Sequence, residues 1–298
     1  MKILMMEHLS ENTKLFVEKS SDNERIQFTK QHKWIGYSNA IKIIKKIDYL
    51  YDYPKQSRMP NLLIVGDSNN GKTIILKRFI KKYEPYICEK ENKVINPVLY
   101  IQAPPEPDEK RFYNAILEKL FAPYKTTEKI EQRQNRVIHL LRELKTKILI
   151  IDEIQHVLAG ASTKQRLFLN VIKYLSNELE IPIVCSGTRE AFNALQTDPQ
   201  LSNRFEPKTL PRWSNDVEFK RLLASFEKIL PLKQQSHLIE NSISLKILSM
   251  SNGLIGEISK ILELSTILAI ESKIEKITPK ILDSIDYKSP DKRKKISF

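Results

Sequence analysis

A short glycine-containing segment between a strand-like and a helix-like stretch constrains the fold most. Residues 61–65 form a short, largely apolar run typical of a buried parallel strand. A helical pattern of apolar residues begins at Lys72. The segment that links them, Gly66-Asp67-Ser68-Asn69-Asn70-Gly71-Lys72-Thr73, includes the first two helical residues and matches G-x-x-x-x-G-K-[ST] without a deviation. Glycines let such a loop turn its backbone N–H groups toward phosphates, so the segment predicts a site for a phosphate-bearing ligand.

Each part of this loop has a chemical reason to contact a nucleotide. We expect the Lys72 amine to reach the β- and γ-phosphates and the Thr73 hydroxyl to bind Mg²⁺. The helix that begins there adds the positive end of its dipole. ATP and Mg²⁺ are therefore the predicted cofactors. The predicted ATP-binding residues of the loop are Gly66, Asp67, Ser68, Asn69, Asn70, Gly71, Lys72 and Thr73.

A pair of acids after another apolar run predicts hydrolysis. Asp152 and Glu153 directly follow residues 148–151. A carboxylate at the end of a buried strand can hold the hydration shell of Mg²⁺, which suits Asp152. Glu153 can orient or deprotonate the attacking water. The acids alone are a weak signal, but together with the phosphate loop they make Lys72, Asp152 and Glu153 candidate catalytic residues.

Thr188 is a further candidate catalytic residue, because Ser186-Gly187-Thr188 follows another apolar run, residues 183–185. Its hydroxyl could hydrogen-bond the γ-phosphate or the attacking water. It could equally cap a helix that begins near Glu190, and the two roles are compatible.

Strand-like and helical patterns alternate through the first two thirds of the chain. This alternation predicts a parallel α/β sheet with helices on both faces, the fold class of P-loop NTPases. The inserted strand at residues 98–101 and the glutamate beside Asp152 favour the ATPase branch. After Trp213 only helical stripes follow, which predicts a small all-α lid domain. The expected divisions are an N-terminal arm that is flexible or binds a partner (1–33), the α/β core (34–212), the helical domain (213–287) and a basic tail (288–298).

Composition limits the partners and the compartment. The formal net charge of +13 and the pI of about 9.5 favour a polyanionic partner, although a solvated lysine-rich surface would give the same numbers. Two cysteines argue against a disulfide framework. Neither a signal sequence nor a membrane-length apolar run is evident in the sequence, so we expect a soluble cytoplasmic protein.

Several motifs together resemble those of the TniB group of AAA+ ATPases. These proteins are relatives of TnsC from Tn7-like elements and include those of Tn5053/Tn402-like elements. The resemblance runs from about Trp34 to Leu264. The matching segments are Trp34-Ile35-Gly36-Tyr37, Arg58-Met59-Pro60-Asn61, the phosphate loop, Ile151-Asp152-Glu153-Ile154-Gln155-His156 and Ser186-Gly187-Thr188-Arg189-Glu190-Ala191.

The resemblance implies an ATP-dependent regulator of DNA transposition. Such a protein assembles on target DNA as an ATP-bound homo-oligomer, a ring or a filament, and recruits or activates a transposase. Its expected partners are double-stranded DNA, contacted along the backbone without sequence preference, the transposase, and a target-selection protein of the same element. Hydrolysis resets the assembly.

The resemblance also assigns roles outside the loop. Arg204 matches the place of a trans-acting arginine finger, where a guanidinium neutralises transition-state charge, but it could also be a surface arginine. Ile35 and Tyr37 would lie beside the adenine, or serve as a hydrophobic staple for the next helix. Glu257 follows a lid-like motif at a position where an arginine is usual. A carboxylate there would repel phosphates, so either the lid does not touch the γ-phosphate or Lys260 substitutes weakly. We therefore expect slow hydrolysis.

Candidate DNA contacts bracket the region after the second strand of the core. In related proteins this region faces a central channel. The candidates are Lys110, Arg111, Lys119, Lys125 and Lys129, each of which could also be part of a solvated helix face. The basic run 292–295 could be a solubilising tail or a further contact.

Two other functions fit the same motifs. One is a helicase-loader or initiator-type ATPase. The other is a nucleotide-gated DNA-binding scaffold with negligible turnover, which Glu153 disfavours and Glu257 mildly favours.

Overall fold

The computed structural model describes residues 6–31, 33–158, 162–196 and 202–294. The chain divides into two compact units. One is an α/β unit, Asn39–Pro211, and the other is a helical unit made of Met1–Ser38 and Arg212–Phe298.

The α/β unit is built on a five-stranded sheet in the order β4-β5-β6-β1-β7. Every neighbouring pair in it is parallel. β5 and β6 are buried at every position, as expected when helices cover both faces. The predicted fold class is thus confirmed. The strands are β1 (Asn61–Gly66), β4 (Val98–Gln102), β5 (Ile148–Asp152), β6 (Ile183–Gly187) and β7 (Phe205–Leu210), and β2 (Tyr86–Cys88) and β3 (Lys93–Ile95) form a separate antiparallel hairpin.

Helices connect the parallel strands, as the alternation predicted. A buried apolar cluster that includes Leu63, Phe112 and Leu149 joins sheet and helices. The helices of this unit are α3 (Ser38–Tyr51), α4 (Lys72–Ile80), α5 (Glu109–Lys119), α6 (Ile130–Glu143), α7 (Gln155–Leu158), α8 (Ser162–Leu179) and α9 (Arg189–Gln196).

The edge strand β7 was not foreseen from the sequence. Its residues, Phe205-Glu206-Pro207-Lys208-Thr209-Leu210, contain two charges and a proline and lack an apolar run. A proline is tolerated on an edge strand because one side of the strand makes no ladder hydrogen bonds. β7 pairs with β1 along its whole length, from Phe205 opposite Asn61 to Leu210 opposite Gly66.

The helical unit has its own apolar core, to which Phe219, Ile247 and Ile261 contribute. Thr278 caps one of its helices: its hydroxyl accepts a hydrogen bond from the Ile281 N–H, and Pro279 begins the helix. The helices are α1 (Glu11–Lys19), α2 (Asp22–Lys30), α10 (Val217–Glu227), α11 (Asn241–Ser251), α12 (Ile255–Glu271), α13 (Pro279–Ser284) and α14 (Pro290–Lys294).

The first 33 residues, predicted to be an arm that is flexible or binds a partner, are largely helical where the structure describes them. Helices α1 and α2 occupy most of this stretch, and a Ser21–Glu24 capping box begins α2. The Arg25 guanidinium is fully buried and donates to both Glu275 oxygens at 2.7 and 2.8 Å. Sequence reasoning missed this ordering because the counter-ion of Arg25 lies 250 residues away. Residues 1–5 of the expected arm, and Lys295 with the rest of the tail end, lie outside the described residues.

In the ranges that the structure describes, no helix is both long and apolar enough to cross a membrane.

Candidate nucleotide-binding site

The phosphate loop joins the carboxyl end of β1 to the start of α4, as the sequence predicted. Two of its residues have positive φ, Asn69 at 60° and Gly71 at 85°, and Gly71 is the N-cap of the helix. The Lys72 amine is almost fully buried and donates to the carbonyl oxygens of Gly66 at 2.9 Å and Asp67 at 3.0 Å. The lysine charge is therefore held inside the loop, where phosphate oxygens could replace the carbonyl acceptors.

Asn70 fixes the loop to the neighbouring strand. Its buried side-chain amide donates to the Leu210 carbonyl at 2.8 Å and to the Pro211 carbonyl at 3.2 Å. A Cβ on Gly66 would lie 3.1 Å from the Leu210 Cβ, which explains why a glycine suits this close approach. The edge strand β7 thus supports the loop, although sequence reasoning did not find it.

Asp152 is the centre of a buried hydrogen-bond network that links three strands to the phosphate loop. The Thr73 hydroxyl donates to Asp152 Oδ2 at 2.7 Å, and the Tyr100 hydroxyl donates to the same oxygen at 2.8 Å. The Ser186 hydroxyl donates to Oδ1, and so does the Glu153 N–H at 2.9 Å. The two sequence motifs therefore meet at one carboxylate.

Glu153 has an unusual backbone conformation, with a φ of +57°. A non-glycine residue in this region costs about 1 kcal/mol or more, and such outliers concentrate at functional sites. The Glu153 carboxylate is half-buried and accepts a hydrogen bond from the Gln155 side chain. Position and orientation of this second acid are thus both fixed.

Burial and nearby charges act on the pKa values at the site. Desolvation lowers the pKa of Lys72, and the charges of Glu153, Asp152 and Asp67 oppose that shift. Desolvation raises the pKa of Tyr100, and its contact with Asp152 raises it further. Tyr100 is therefore a hydrogen-bond donor to Asp152 throughout the neutral range.

Thr188 lies directly before α9, half-buried and close to the end of β6. Its side chain hydrogen-bonds Glu190, and this contact is the largest of the causes that lower the Glu190 pKa. Its carbonyl accepts from the Phe192 N–H at 3.2 Å, so Thr188 acts at the helix start. The capping interpretation accounts for these contacts, and the role toward the γ-phosphate stays a prediction.

The donors that converge on the loop suit Mg²⁺ with a nucleotide. Thr73 and Asp152 offer a hydroxyl and a carboxylate, the hard oxygen ligands that Mg²⁺ takes alongside phosphates and water. Within the described part of the chain, no group of three or more His, Cys, Asp or Glu could hold a metal by itself.

Ile35 and Tyr37 belong to the helical unit and pack against its apolar core. The Tyr37 ring meets the Trp213 ring edge-on, with centroids 5.1 Å apart. Desolvation raises the pKa of Tyr37 to about 12. These contacts account for both side chains by packing, and their place beside the adenine stays a prediction.

Arg204 lies directly before β7 and is half-buried. Its guanidinium donates to the Asn177 side chain at 2.6 Å, and its carbonyl accepts from the Asn61 N–H at 2.9 Å. Asn61 is the first residue of β1, and the phosphate loop follows the last residue of that strand. Arg204 therefore lies at the amino ends of the parallel strands, whereas the loop lies at their carboxyl ends. Leu201, which begins the motif around Arg204, lies outside the described residues.

Glu257 does not stand as an uncompensated charge. It is buried in the helical unit, and its carboxylate accepts from the Tyr287 hydroxyl at 2.6 Å and pairs with the Arg293 guanidinium at 2.5 Å. The basic tail thus supplies the counter-ion for the acid at the lid-like position. Lys260, the suggested substitute, instead pairs with Glu263 at 2.8 Å.

The DNA candidates lie on and between α5 and α6. Arg111, Lys119, Lys125 and Lys129 are exposed. Lys110 is half-buried and donates to the Thr126 carbonyl at 3.0 Å, which brings the start of α5 to the loop before α6. Arg111 also pairs with Glu106 at 3.5 Å. All five belong to the α/β unit.

Four further side chains support this site, although sequence reasoning assigned that role to none of them: Tyr100, Ser186, Asn70 and Gln155. Tyr100 and Ser186 lie at or near the carboxyl ends of β4 and β6, on either side of Asp152 in the sheet. The carboxyl ends of parallel strands meet at one edge of the sheet. Polar residues at the ends of the predicted strands were therefore the sequence signal by which Tyr100 and Ser186 could have been found.

Comparison with known proteins agrees with this geometry. A family model described as "Bacterial TniB protein" matches residues 25–215, well over half of the 298-residue chain. Chaperone protein ClpB of Aquifex aeolicus (strain VF5) is 27% identical over 190 residues. That match covers 62% of this chain and 17% of ClpB, so the chain spans less than a fifth of this relative.

Solved structures share the fold at low sequence identity. The Aeropyrum pernix ORC2 protein, in ADPNP and ADP complexes, aligns with a TM-score of 0.62 and 13% identity, over 91% of this chain and 74% of that one. The ORC1 protein of the same organism, in complex with DNA, aligns with a TM-score of 0.56 and 14% identity, over 87% and 68%. The likeness shows the AAA+ fold with a C-terminal helical part.

Proposed function

The chain belongs to the bacterial TniB family, and from this premise we propose that it is an ATP-dependent regulator of DNA transposition. It binds target duplex DNA as an ATP-bound homo-oligomer and recruits or activates the transposase. ATP hydrolysis resets the assembly. The main support for ATP binding and hydrolysis is the 2.7 Å hydrogen bond between Thr73 and Asp152, which joins the phosphate loop to the acids.

The residues divide the hydrolytic work between them. Lys72 would bind the β- and γ-phosphates, and Thr73 and Asp152 would hold Mg²⁺. The metal, when bound, neutralises phosphate charge. Glu153 accepts a proton from the attacking water, and Gln155 keeps its carboxylate oriented. Tyr100 and Ser186 hold Asp152 in place.

Arg204 completes the site of a neighbouring subunit. The span of β1 from Asn61 to Gly66 is about 16 Å at the usual strand rise, too far for the guanidinium to reach its own phosphate loop. An arginine at that edge acts on a nucleotide only across a subunit boundary, where it neutralises charge on the transferred phosphoryl group. Assembly and hydrolysis are thereby coupled.

DNA binding rests on the exposed cations around α5 and α6 and on the net charge of +13. Such contacts are sequence-independent and salt-sensitive. A few contacts from one subunit bind weakly, whereas linked subunits in a row raise the effective concentration of each next contact. ATP-driven self-association therefore promotes DNA binding. The transposase and a target-selection protein of the same element are the proposed protein partners.

An initiator-type ATPase is the second candidate, because an ORC1 protein with a similar fold was solved in complex with DNA. One experiment separates the two proposals. Purified protein is mixed with ATP, Mg²⁺ and duplex DNA, with the transposase or with a replicative helicase, and capture on DNA beads is measured. Capture of the transposase supports the first proposal, and capture of the helicase alone contradicts it. Steady-state turnover with and without DNA tests the remaining alternative, a scaffold with negligible hydrolysis.

A further inference from the structure

Phe121 is the most exposed large apolar side chain in the described part of the chain, at 94%. It follows the C-cap residue of α5, Leu120, at the position where helices commonly carry glycine. The ring therefore contributes almost nothing to the core of the α/β unit.

The backbone at Phe121 is also unfavourable for its residue type. The Ala122 N–H donates to the Leu117 carbonyl at 2.9 Å, and the Phe121 N–H donates to the Glu118 carbonyl at 3.1 Å. This pattern is a Schellman motif, and it holds Phe121 at a φ of +54°. A bulky residue at positive φ is strained, so the fold would be served better by glycine.

The loop that carries the ring is nevertheless held firmly. The buried Arg133 guanidinium donates to the Lys125 carbonyl at 2.5 Å and stacks on Tyr124, with the guanidinium carbon 4.8 Å from the ring centroid. It also donates to the Thr126 carbonyl at 3.2 Å, and Arg136 donates to the Pro123 carbonyl at 2.5 Å. The ring is thus presented on a fixed support.

The surroundings of the ring favour a polyanion. The oxygens that Arg133 contacts belong to backbone carbonyls and to the Asn114 amide, so a buried positive charge under this loop meets neutral acceptors. Lys119 and Lys125, on either side of Phe121 in sequence, are exposed. The acids of the same segment are engaged within it, because Glu118 accepts from the Tyr124 hydroxyl and Glu128 pairs with Arg136 at 2.8 Å. An apolar ring flanked by exposed lysines matches a nucleic-acid surface, where phosphates lie beside base and sugar edges.

We propose that Phe121 is an apolar contact to duplex DNA that inserts between base steps, while the adjoining lysines bind phosphates. This inference rests on the proposed function. It adds a binding mode that is sequence-tolerant and, unlike the lysine contacts, insensitive to salt. It also implies that the bound duplex is locally unstacked.

The test compares Phe121→Gly with Lys119→Ala and Lys125→Ala in full-length protein with ATP and Mg²⁺. Affinity for a duplex carrying 2-aminopurine is measured by anisotropy at several salt concentrations. We expect Phe121→Gly to bind about tenfold more weakly at every salt concentration, with an unchanged salt slope. Each lysine variant should lower that slope by about 0.9. The 2-aminopurine fluorescence should rise with the wild type and with Phe121→Trp, but not with Phe121→Gly.

Stability is the decisive control, because Phe121→Gly relieves strain and should unfold at the same temperature or higher. A lower unfolding temperature would overturn the inference by showing that the ring serves the fold. Unchanged DNA affinity in Phe121→Gly would overturn the role of Phe121 and leave the proposed function standing. Loss of transposase capture without loss of DNA affinity would assign the ring to a protein partner instead. Failure of the wild type to bind DNA with ATP would overturn both.

Discussion

The Thr73 hydroxyl donates a hydrogen bond to the Asp152 carboxylate at 2.7 Å, across 79 residues of sequence. This contact joins the phosphate loop on β1 to the acidic end of β5, although β6 lies between the two strands. The hydroxyls of Tyr100 on β4 and Ser186 on β6 also donate hydrogen bonds to this carboxylate, from the two strands that neighbour β5. The nucleotide site is therefore organised around Asp152, and predictions for it can be made residue by residue.

Removing the Lys72 amine should weaken ATP binding severely. The Lys72→Ala variant loses a charge-assisted hydrogen bond to phosphate, which corresponds to roughly a hundredfold in affinity. Calorimetric titration with ATP and Mg²⁺ measures the change. Lys77→Ala, an exposed lysine on the same helix, is the matched control and should bind normally. A folded Lys72→Ala protein with wild-type affinity would contradict the assignment of the loop.

Glu153→Gln keeps the shape of the side chain but removes the base. ATP should still bind, while turnover falls by roughly a hundredfold or more. Phosphate release under saturating ATP measures the effect, and complexes on DNA should last longer than those of the wild type. Glu89→Gln, an exposed acid of the same unit, should leave turnover unchanged. Normal turnover in Glu153→Gln would place the catalytic base elsewhere.

Arg204→Ala should lower turnover although each subunit still binds ATP. Lys72→Ala subunits keep Arg204, so mixing the two inactive variants should restore part of the activity if the arginine acts across a boundary. Asn177→Ala removes the intrachain partner of Arg204 and tests a purely structural role. If Asn177→Ala reproduces the defect, or co-assembled mixtures stay inactive, the shared-site proposal is wrong.

Lys33 should make stability depend on pH in the alkaline range. Burial lowers its pKa from 10.5 to about 8. Above pH 8 the folded chain loses this proton first, and the unfolded chain keeps it until about 10.5. The unfolded state therefore binds more protons, and stability rises with pH across that window.

The variant Lys33→Met should remove this rise. The Lys33 amine lies 3.3 Å from the Ile229 carbonyl and 3.3 Å from the Phe28 ring centroid, so the methionine retains the packing. Thermal unfolding from pH 7 to about pH 9 measures the effect, because the tyrosines of the unfolded chain ionise only near pH 10. Lys30→Met, an exposed change on the preceding helix, should follow the wild type. A wild-type curve that falls over this range would refute the prediction.

Local sequence was enough to place the phosphate loop and the two acids of this protein. The unbroken G-x-x-x-x-G-K-[ST] pattern between an apolar run and a helical pattern placed the phosphate loop, and Asp152-Glu153 after another apolar run placed the acids. These features are local: a buried parallel strand must be apolar throughout, and a phosphate loop needs its residues at fixed spacing. Helix α13 was equally local, because Thr278 and Pro279 form its cap.

The distant residues that support the site, and the ion pairs that compensate buried charges, become visible only in the folded chain. β7 carries no apolar run and becomes a strand only by pairing with β1. Arg25 pairs with Glu275, and Glu257 pairs with Arg293. Both partners are distant in sequence, so local sequence shows neither that the first helices are held in place nor that the Glu257 charge is neutralised. Burial makes an unpaired charge costly, and the fold meets that cost with residues that the chain brings together only in space.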